Sequence, residues 1–165
     1  MRAGTQDQGH EMSNDWYAPR NGLDRISLFE EFRRSFDSVF DVDRACRTSI
    51  AHYDKAVHLA RPIGETINLA KTLREGSMPL AVATNAERTV CELLLGSVNI
   101  RNVFDAVVCI SDNVPPKPSP EMFQLAAKRL GHPTGKVLVI EDSPQGVQAA
   151  KSAGMSVIEL SAPTP

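Results

Sequence analysis

Along residues 23–59 the apolar positions recur every three or four places: Leu28, Phe32, Phe36 and Val39, then Cys46, Ile50, Tyr53 and Val57. That spacing puts each set on one helical face and predicts two amphipathic helices that bury a shared surface. A third helix is predicted over 62–76, with Pro62 near its start, Ile67, Ala70 and Leu73 along one face, and Gly76 after its end. Beyond Gly76 the period changes. Residues 80–83, 106–110, 137–140 and 156–160 are short, mostly apolar runs without alternation, as expected of strands buried on both faces of a parallel sheet. Helices are predicted in the gaps, at about 86–95, 119–130 and 143–153. Ser119 and Ser143 are the expected N-caps, Pro120 and Pro144 fall in the first turns, and Gly131 and Gly154 close the ends. Residues 1–22, rich in Gly, Asn, Asp and Gln and broken by Pro19 and Gly22, read as a flexible leader.

Strand and helix thus alternate over some eighty residues, the pattern of an α/β protein with a Rossmann-like parallel sheet flanked by helices. The expected organisation is a leader over 1–22, a helical segment over 23–59 and an α/β core over 60–165. A chain of 165 residues with 42% hydrophobic and 23% charged content suits one soluble domain with a small appendage. The net charge of −2 and the absence of any basic run longer than Arg33-Arg34 argue against a nucleic-acid partner. No apolar stretch nears the roughly 20 residues of a membrane span, and the polar N-terminus has no signal-peptide core. Cys46, Cys91 and Cys109 are scattered, so they read as small buried hydrophobes in a reducing, cytoplasmic compartment. His52, His58 and His132 read as surface or core residues rather than ligands, and nothing sets the oligomeric state.

Open parallel sheets bind ligands at the carboxyl ends of their strands. There the sequence places Thr84-Asn85 after the first run, a loop 111–118 with Lys117 after the second, and Glu141-Asp142 after the third. Each has a plain reading: Thr84 as a helix cap, Lys117 as a solvated loop lysine, and the carboxylates as partners of a helix dipole. At successive strand ends on one edge, however, they suit phosphoryl chemistry. Two carboxylates make a hard oxygen site for magnesium. A lysine supplies positive charge to phosphate oxygens, and a short hydroxyl beside helix N-terminal N–H groups cradles an anion.

The segments Leu80–Asn85, Lys117–Phe123 and Val137–Met155 resemble the second, third and fourth motifs of the haloacid dehalogenase-like hydrolase superfamily. The nearest branch is the one with a helical cap, which includes β-phosphoglucomutase-like proteins and sugar- or glycerol-phosphate phosphatases. The resemblance covers about residues 60–160. It implies that Thr84 and the Asn85 backbone bind the phosphoryl group, that Lys117 neutralises it, and that Glu141 and Asp142 hold Mg2+ directly or through water. It also implies a small phosphorylated metabolite as substrate and makes 23–59 part of a mobile cap. Glu141-Asp142 fits magnesium-dependent phosphate hydrolysis better than dehalogenation, which needs no magnesium.

The family opens with a strand ending in Asp-x-Asp-Gly-Thr, whose first aspartate attacks phosphorus and whose second is general acid and base. That element is absent from this sequence. Asp41-Val42-Asp43 has the spacing but sits in a helical stretch, is followed by Arg-Ala, and lies too close to the second motif. Gly4-Thr5 lacks the aspartate and the strand. The chain therefore reads as a truncated member of the superfamily, and the alternative is a catalytically dead remnant that binds phosphate or a protein. A two-component receiver domain is set aside, because there the acidic pair comes first in the chain and the Lys-Pro last.

Overall fold

The computed structural model describes residues 1–36, 39–59 and 61–160; the expected boundary at residue 60 and the tail 161–165 lie outside them. Four helices come first: α1 (Arg2–Gln6), α2 (Asn14–Tyr17), α3 (Arg25–Phe36) and α4 (Val42–Ala56). Then α5 (Gly64–Glu75), β1 (Ala81–Thr84), α6 (Arg88–Ser97), β2 (Ala106–Cys109), α7 (Glu121–Leu130), β3 (Leu138–Glu141), α8 (Pro144–Ser152) and β4 (Ser156–Glu159) alternate. The fold is the α/β arrangement that the pattern predicts.

β1 pairs in parallel with β2, Ala81 opposite Ala106, and β3 pairs in parallel with β4, Leu138 opposite Ser156. Among the described residues no ladder joins β1 to β3, so the sheet consists of two halves. Helix α7 is the floor they share. Its Met122 and Ala126 pack with Val108 and Ala83, and its Phe123 and Ala127 pack with Val139 and with Ala149 and Ala150 of α8. Alanines at these positions let helix and strand backbones approach closely, which is how four-residue strands gather a dense core.

Burial on both faces holds for β2, all four of whose residues are buried, but not for β3. Val139 and Glu141 are buried against α8, whereas Leu138 is 55% and Ile140 37% exposed. No layer covers that second face among the described residues. Helix α5 tells the same story. Ile67, Ala70 and Leu73 form its least exposed stripe, as the spacing predicts, yet no residue of α5 is buried.

The structure corrects the reading of residues 1–22 as a flexible leader, because α1 packs across α4 and Gly4, Thr5 and Met12 are buried. The reason is the aromatic cluster beneath. Phe29, Phe32 and Phe40 form one cluster with Leu28 and Ala45, and Met12, Trp16 and Tyr17 pack against it and complete its burial. Close approach also matters, since a Cβ on Gly4 would stand 2.5 Å from the Ala45 carbonyl oxygen. The buried stripe of α3 is Leu28, Phe29 and Phe32, with Phe36 and Val39 exposed; on α4 it shifts by one place to Ala45 and Ser49. Asp41 accepts from the Arg44 N–H at 2.9 Å and is the N-cap of α4, an ordinary role for that residue type.

Candidate active site

β1 and β3 both deliver their carboxyl ends to Lys117, which reaches them from the loop between β2 and α7. The lysine amine donates to the Ala83 carbonyl of β1 at 3.3 Å and forms an ion pair with Glu141 of β3. Both side chains are more than nine-tenths buried. Asn85 holds the loop in place: its Oδ1 accepts from the Lys117 N–H at 2.9 Å and its Nδ2 donates to the Lys117 carbonyl at 3.2 Å. The same Nδ2 donates to the Gly22 carbonyl at 2.8 Å, which ties the helical layer to the sheet edge.

The second oxygen of Glu141 accepts from the N–H groups of Asp142 and Ser143, at 2.8 and 3.0 Å, and from the Ser143 hydroxyl at 3.1 Å. Ser143 in turn accepts from the Gly146 N–H at 3.1 Å, so it is the N-cap of α8 as expected. Glu141 lies against the first turn of that helix, where a Cβ on residue 146 would come within 1.9 Å of its Oε1. Only glycine leaves that room. Ser119, also expected as an N-cap, instead bonds the Glu121 carboxylate, and Pro120 takes the cap position of α7. With its hydroxyl turned to a side chain, Ser119 caps no backbone N–H.

Burial pushes the Glu141 carboxyl up, but the Lys117 ammonium and the two backbone N–H donors outweigh it and hold it below its usual range. Asp142 goes the other way: burial, then the Glu141 charge, push it up. The pair thus divides its duties. Glu141 has both oxygens engaged and locks Lys117, whereas Asp142 is exposed and accepts no hydrogen bond from another of the described residues. Thr84 accepts from the Ala86 N–H at 3.1 Å within the turn ahead of α6; that helix starts at Arg88 with Glu87 at its cap position, so Thr84 does not cap it, and its own O–H is left to donate.

A cavity of about 300 Å³ opens over this edge. Thr84, Asn85, Lys117, Glu141 and Asp142, the five residues that the sequence singles out, all line it, together with Ser143. The helical layer closes it from above through Tyr17, Tyr53 and the segment 21–26. Asp41 and Asp43 do not line it. His52 and His132 are exposed and stand apart from it, and the side chain of His58 is outside the described residues.

Sequence reading missed Asp24, Arg25 and Glu87. Arg25 Nη1 meets Glu87 Oε1 at 2.5 Å, across 62 residues of chain, and both line the cavity. The local signal was present, since an aspartate just after Gly22 and just before an apolar stripe marks a helix start. Its place over the sheet edge was not.

Among the described residues no group of three or more His, Cys, Asp or Glu side chains could hold a metal. Magnesium does not require one: it keeps several waters and binds through one or two carboxylates plus substrate phosphates. Asp142, exposed and unengaged, meets that need, and Glu141 stands next to it.

A family model described as haloacid dehalogenase-like hydrolase matches residues 2–160. The fructose-1-phosphate phosphatase YqaB of Escherichia coli (strain K12) is 39% identical over 85 residues, which are 52% of this chain and 45% of that protein. A probable pseudouridine-5'-phosphatase of Drosophila melanogaster is 37% identical over 101 residues, 58% of this chain and 44% of its own. The chain spans about half the length of these curated relatives. Among solved structures, CbbY of Rhodobacter sphaeroides in complex with phosphate superposes with a TM-score of 0.81. That match has 20% identity and covers 94% of this chain and 74% of that one, a likeness of fold. No helix among the described residues is long and apolar enough to cross a membrane.

Proposed function

The chain belongs to the haloacid dehalogenase-like hydrolase family, and from that premise we propose that its cavity serves the magnesium-dependent hydrolysis of a small phosphate monoester. The observation that carries this reading is the buried Lys117–Glu141 pair at the carboxyl edge, with Thr84, Asn85 and Asp142 lining the same cavity. Relatives named as phosphatases of fructose 1-phosphate and pseudouridine 5'-phosphate support the substrate class.

Each residue then has a task. Thr84 donates its hydroxyl proton to a phosphoryl oxygen, and the backbone N–H groups of the turn at Asn85 add an anion cradle. Lys117 offsets the negative charge that grows on the phosphoryl oxygens, and Glu141 keeps its amine aimed there. Asp142 would hold Mg2+, directly or through water, with Glu141 behind it; the metal would supply charge neutralisation of the phosphate.

Covalent catalysis also needs an attacking group. Of the two aspartates with the right spacing, Asp41 caps α4 and Asp43 sits in its first turn, and neither lines the cavity. We infer that the attacking carboxylate belongs to a further parallel strand, running between β1 and β3 and ending beside Lys117. The missing β1–β3 ladder and the exposure of Leu138 and Ile140 support this.

The test is hydrolysis of a generic aryl phosphate. This chain alone is expected to show no magnesium-dependent turnover above background, because loss of a nucleophile removes several orders of magnitude in rate. Fusing an apolar strand ending in Asp-x-Asp-Gly-Thr ahead of Met1 is expected to create turnover that falls on Lys117→Ala. Turnover by the unfused chain that survives Lys117→Ala overturns the mechanism.

A further inference from the structure

At the turn between α2 and α3 a side-chain amide stands next to a backbone nitrogen that the fold leaves open. Asn21 is exposed and lines the cavity. Gly22 follows it at φ +97°, and a Cβ there would lie 2.6 Å from the Ser143 Cβ, so the fold requires glycine at this place. The Gly22 carbonyl is held by Asn85, whereas its N–H meets no acceptor among the described residues. No other asparagine in the chain is followed by glycine.

That dipeptide is chemically labile, because a backbone nitrogen without a side chain beside it can reach the amide carbon of the preceding asparagine. The Gly22 nitrogen bonds to Cγ of Asn21, the bond from Cγ to Nδ2 breaks, and the amide leaves as ammonia with the proton that Gly22 gave up. Water then opens the five-membered imide at either carbonyl and leaves an aspartate or an isoaspartate. During attack, negative charge builds on Asn21 Oδ1. The Tyr17 hydroxyl donates to that same atom at 3.4 Å, a long contact that strengthens as the charge grows. Burial, then the neighbouring Tyr53, push the Tyr17 phenol up, so it stays a donor in mildly alkaline solution. Asn21 rests at ψ 131°, so ring closure needs a rotation about one backbone bond, which makes the reaction slow.

The product changes the charge of the cavity. Arg25 is paired with Glu87 and Lys117 with Glu141, which leaves Asp24 and Asp142 as negative charges without a cation partner among the described residues. A further carboxylate at residue 21 opposes the entry of an anion.

Resting on the reading of the strand edge as the phosphoryl end, we propose that Asn21–Gly22 is a self-deamidation site, assisted by Tyr17, and that the carboxylate it forms lowers the affinity of the cavity for phosphate as the protein ages.

The test ages the folded full chain in mildly alkaline buffer and follows intact mass and peptide maps, with the same chain in urea as an unfolded control. One amide-to-acid exchange is expected in the folded chain, confined to the peptide containing Asn21 and absent from Asn21→Gln, whose longer side chain cannot close the five-membered ring. Tyr17→Phe is expected to slow it about threefold to tenfold, the worth of one hydrogen bond. In calorimetry with inorganic phosphate, the aged chain and Asn21→Asp are expected to bind about threefold more weakly than the fresh chain, and Asn21→Gln to keep its affinity after ageing. Conversion confined to the urea control overturns the site, and an unchanged rate in Tyr17→Phe removes Tyr17 from the reaction. Equal phosphate affinity of the fresh chain and Asn21→Asp overturns the effect on binding and leaves the phosphoryl end standing. A fresh chain that binds no phosphate brings down the phosphoryl end and the effect on binding together, while the mass measurement still decides the modification.

Discussion

Lys117 and Glu141 form a buried ion pair that bridges the two halves of the sheet: the lysine amine also donates to the Ala83 carbonyl of β1, and Glu141 closes β3. Its partners are themselves hydrogen-bonded, the condition under which a buried pair offsets the cost of desolvating two charges. Removing one partner strands the other. Lys117→Met is expected to cost about 3–5 kcal/mol in urea unfolding, and Lys117→Met with Glu141→Met together to recover most of it. A double-variant loss equal to the sum of the Lys117→Met and Glu141→Met losses would show that the pair is not coupled.

Glycines 146 and 96 make an opposed pair of tests. Both sit in helices, where alanine is favoured by about 0.5–1 kcal/mol. Gly96→Ala meets open space and is expected to stabilise by that amount. Gly146→Ala drives a methyl group into the Glu141 carboxylate and is expected to destabilise by about 1–3 kcal/mol. Thermal midpoints moving in the same direction would mean that Glu141 does not rest on the first turn of α8.

Asp112 fastens the end of β2. It accepts from Arg129 and Arg88 at 2.6 Å each and from the Cys109 N–H at 2.8 Å. The Arg129 guanidinium, ahead of the backbone donor, holds its carboxyl far below the usual range. A folded-state pKa below the unfolded one means that the stabilisation is complete above about pH 4 and is lost as pH falls further. Asp112→Asn is therefore expected to lower stability at pH 7 by about 1 kcal/mol, a modest figure because both arginines are partly exposed to screening solvent. As pH falls from 4 towards 2 the gap is expected to narrow. A gap that stays constant across this range contradicts the assignment.

Magnesium that binds only the folded chain raises its melting temperature. That shift is expected in the parent chain and expected to vanish in Asp142→Ala, whose lost carboxylate is the one not already engaged. Glu141→Ala combined with Asp142→Ala is expected to behave the same way. A full shift in either variant removes Asp142 from the metal site.

Much of this protein was legible in the chain by itself. The change from helical spacing to unbroken apolar runs at Gly76 told strand from helix, although of the four described strands only β2 is buried at every position. The strand ends named Thr84, Asn85, Lys117, Glu141 and Asp142, since parallel strands deliver their carboxyl ends to one edge. What only the tertiary structure decided are contacts between distant parts of the chain that leave no local pattern. Residues 1–22 are polar in composition, yet the need of Phe29, Phe32 and Phe40 for a cover orders them. Glu141 and Asp142 are adjacent carboxylates of similar intrinsic chemistry, and only the position of the Lys117 amine makes one a lock and leaves the other free. Asp24 and Arg25 look like an ordinary helix start, and what sets them over the sheet edge is a hydrogen bond from Asn85 to Gly22 and an ion pair to Glu87, each spanning more than 60 residues. Periodicity is local and survives in sequence; long-range pairing depends on where the backbone returns, and that is settled only when the whole core packs.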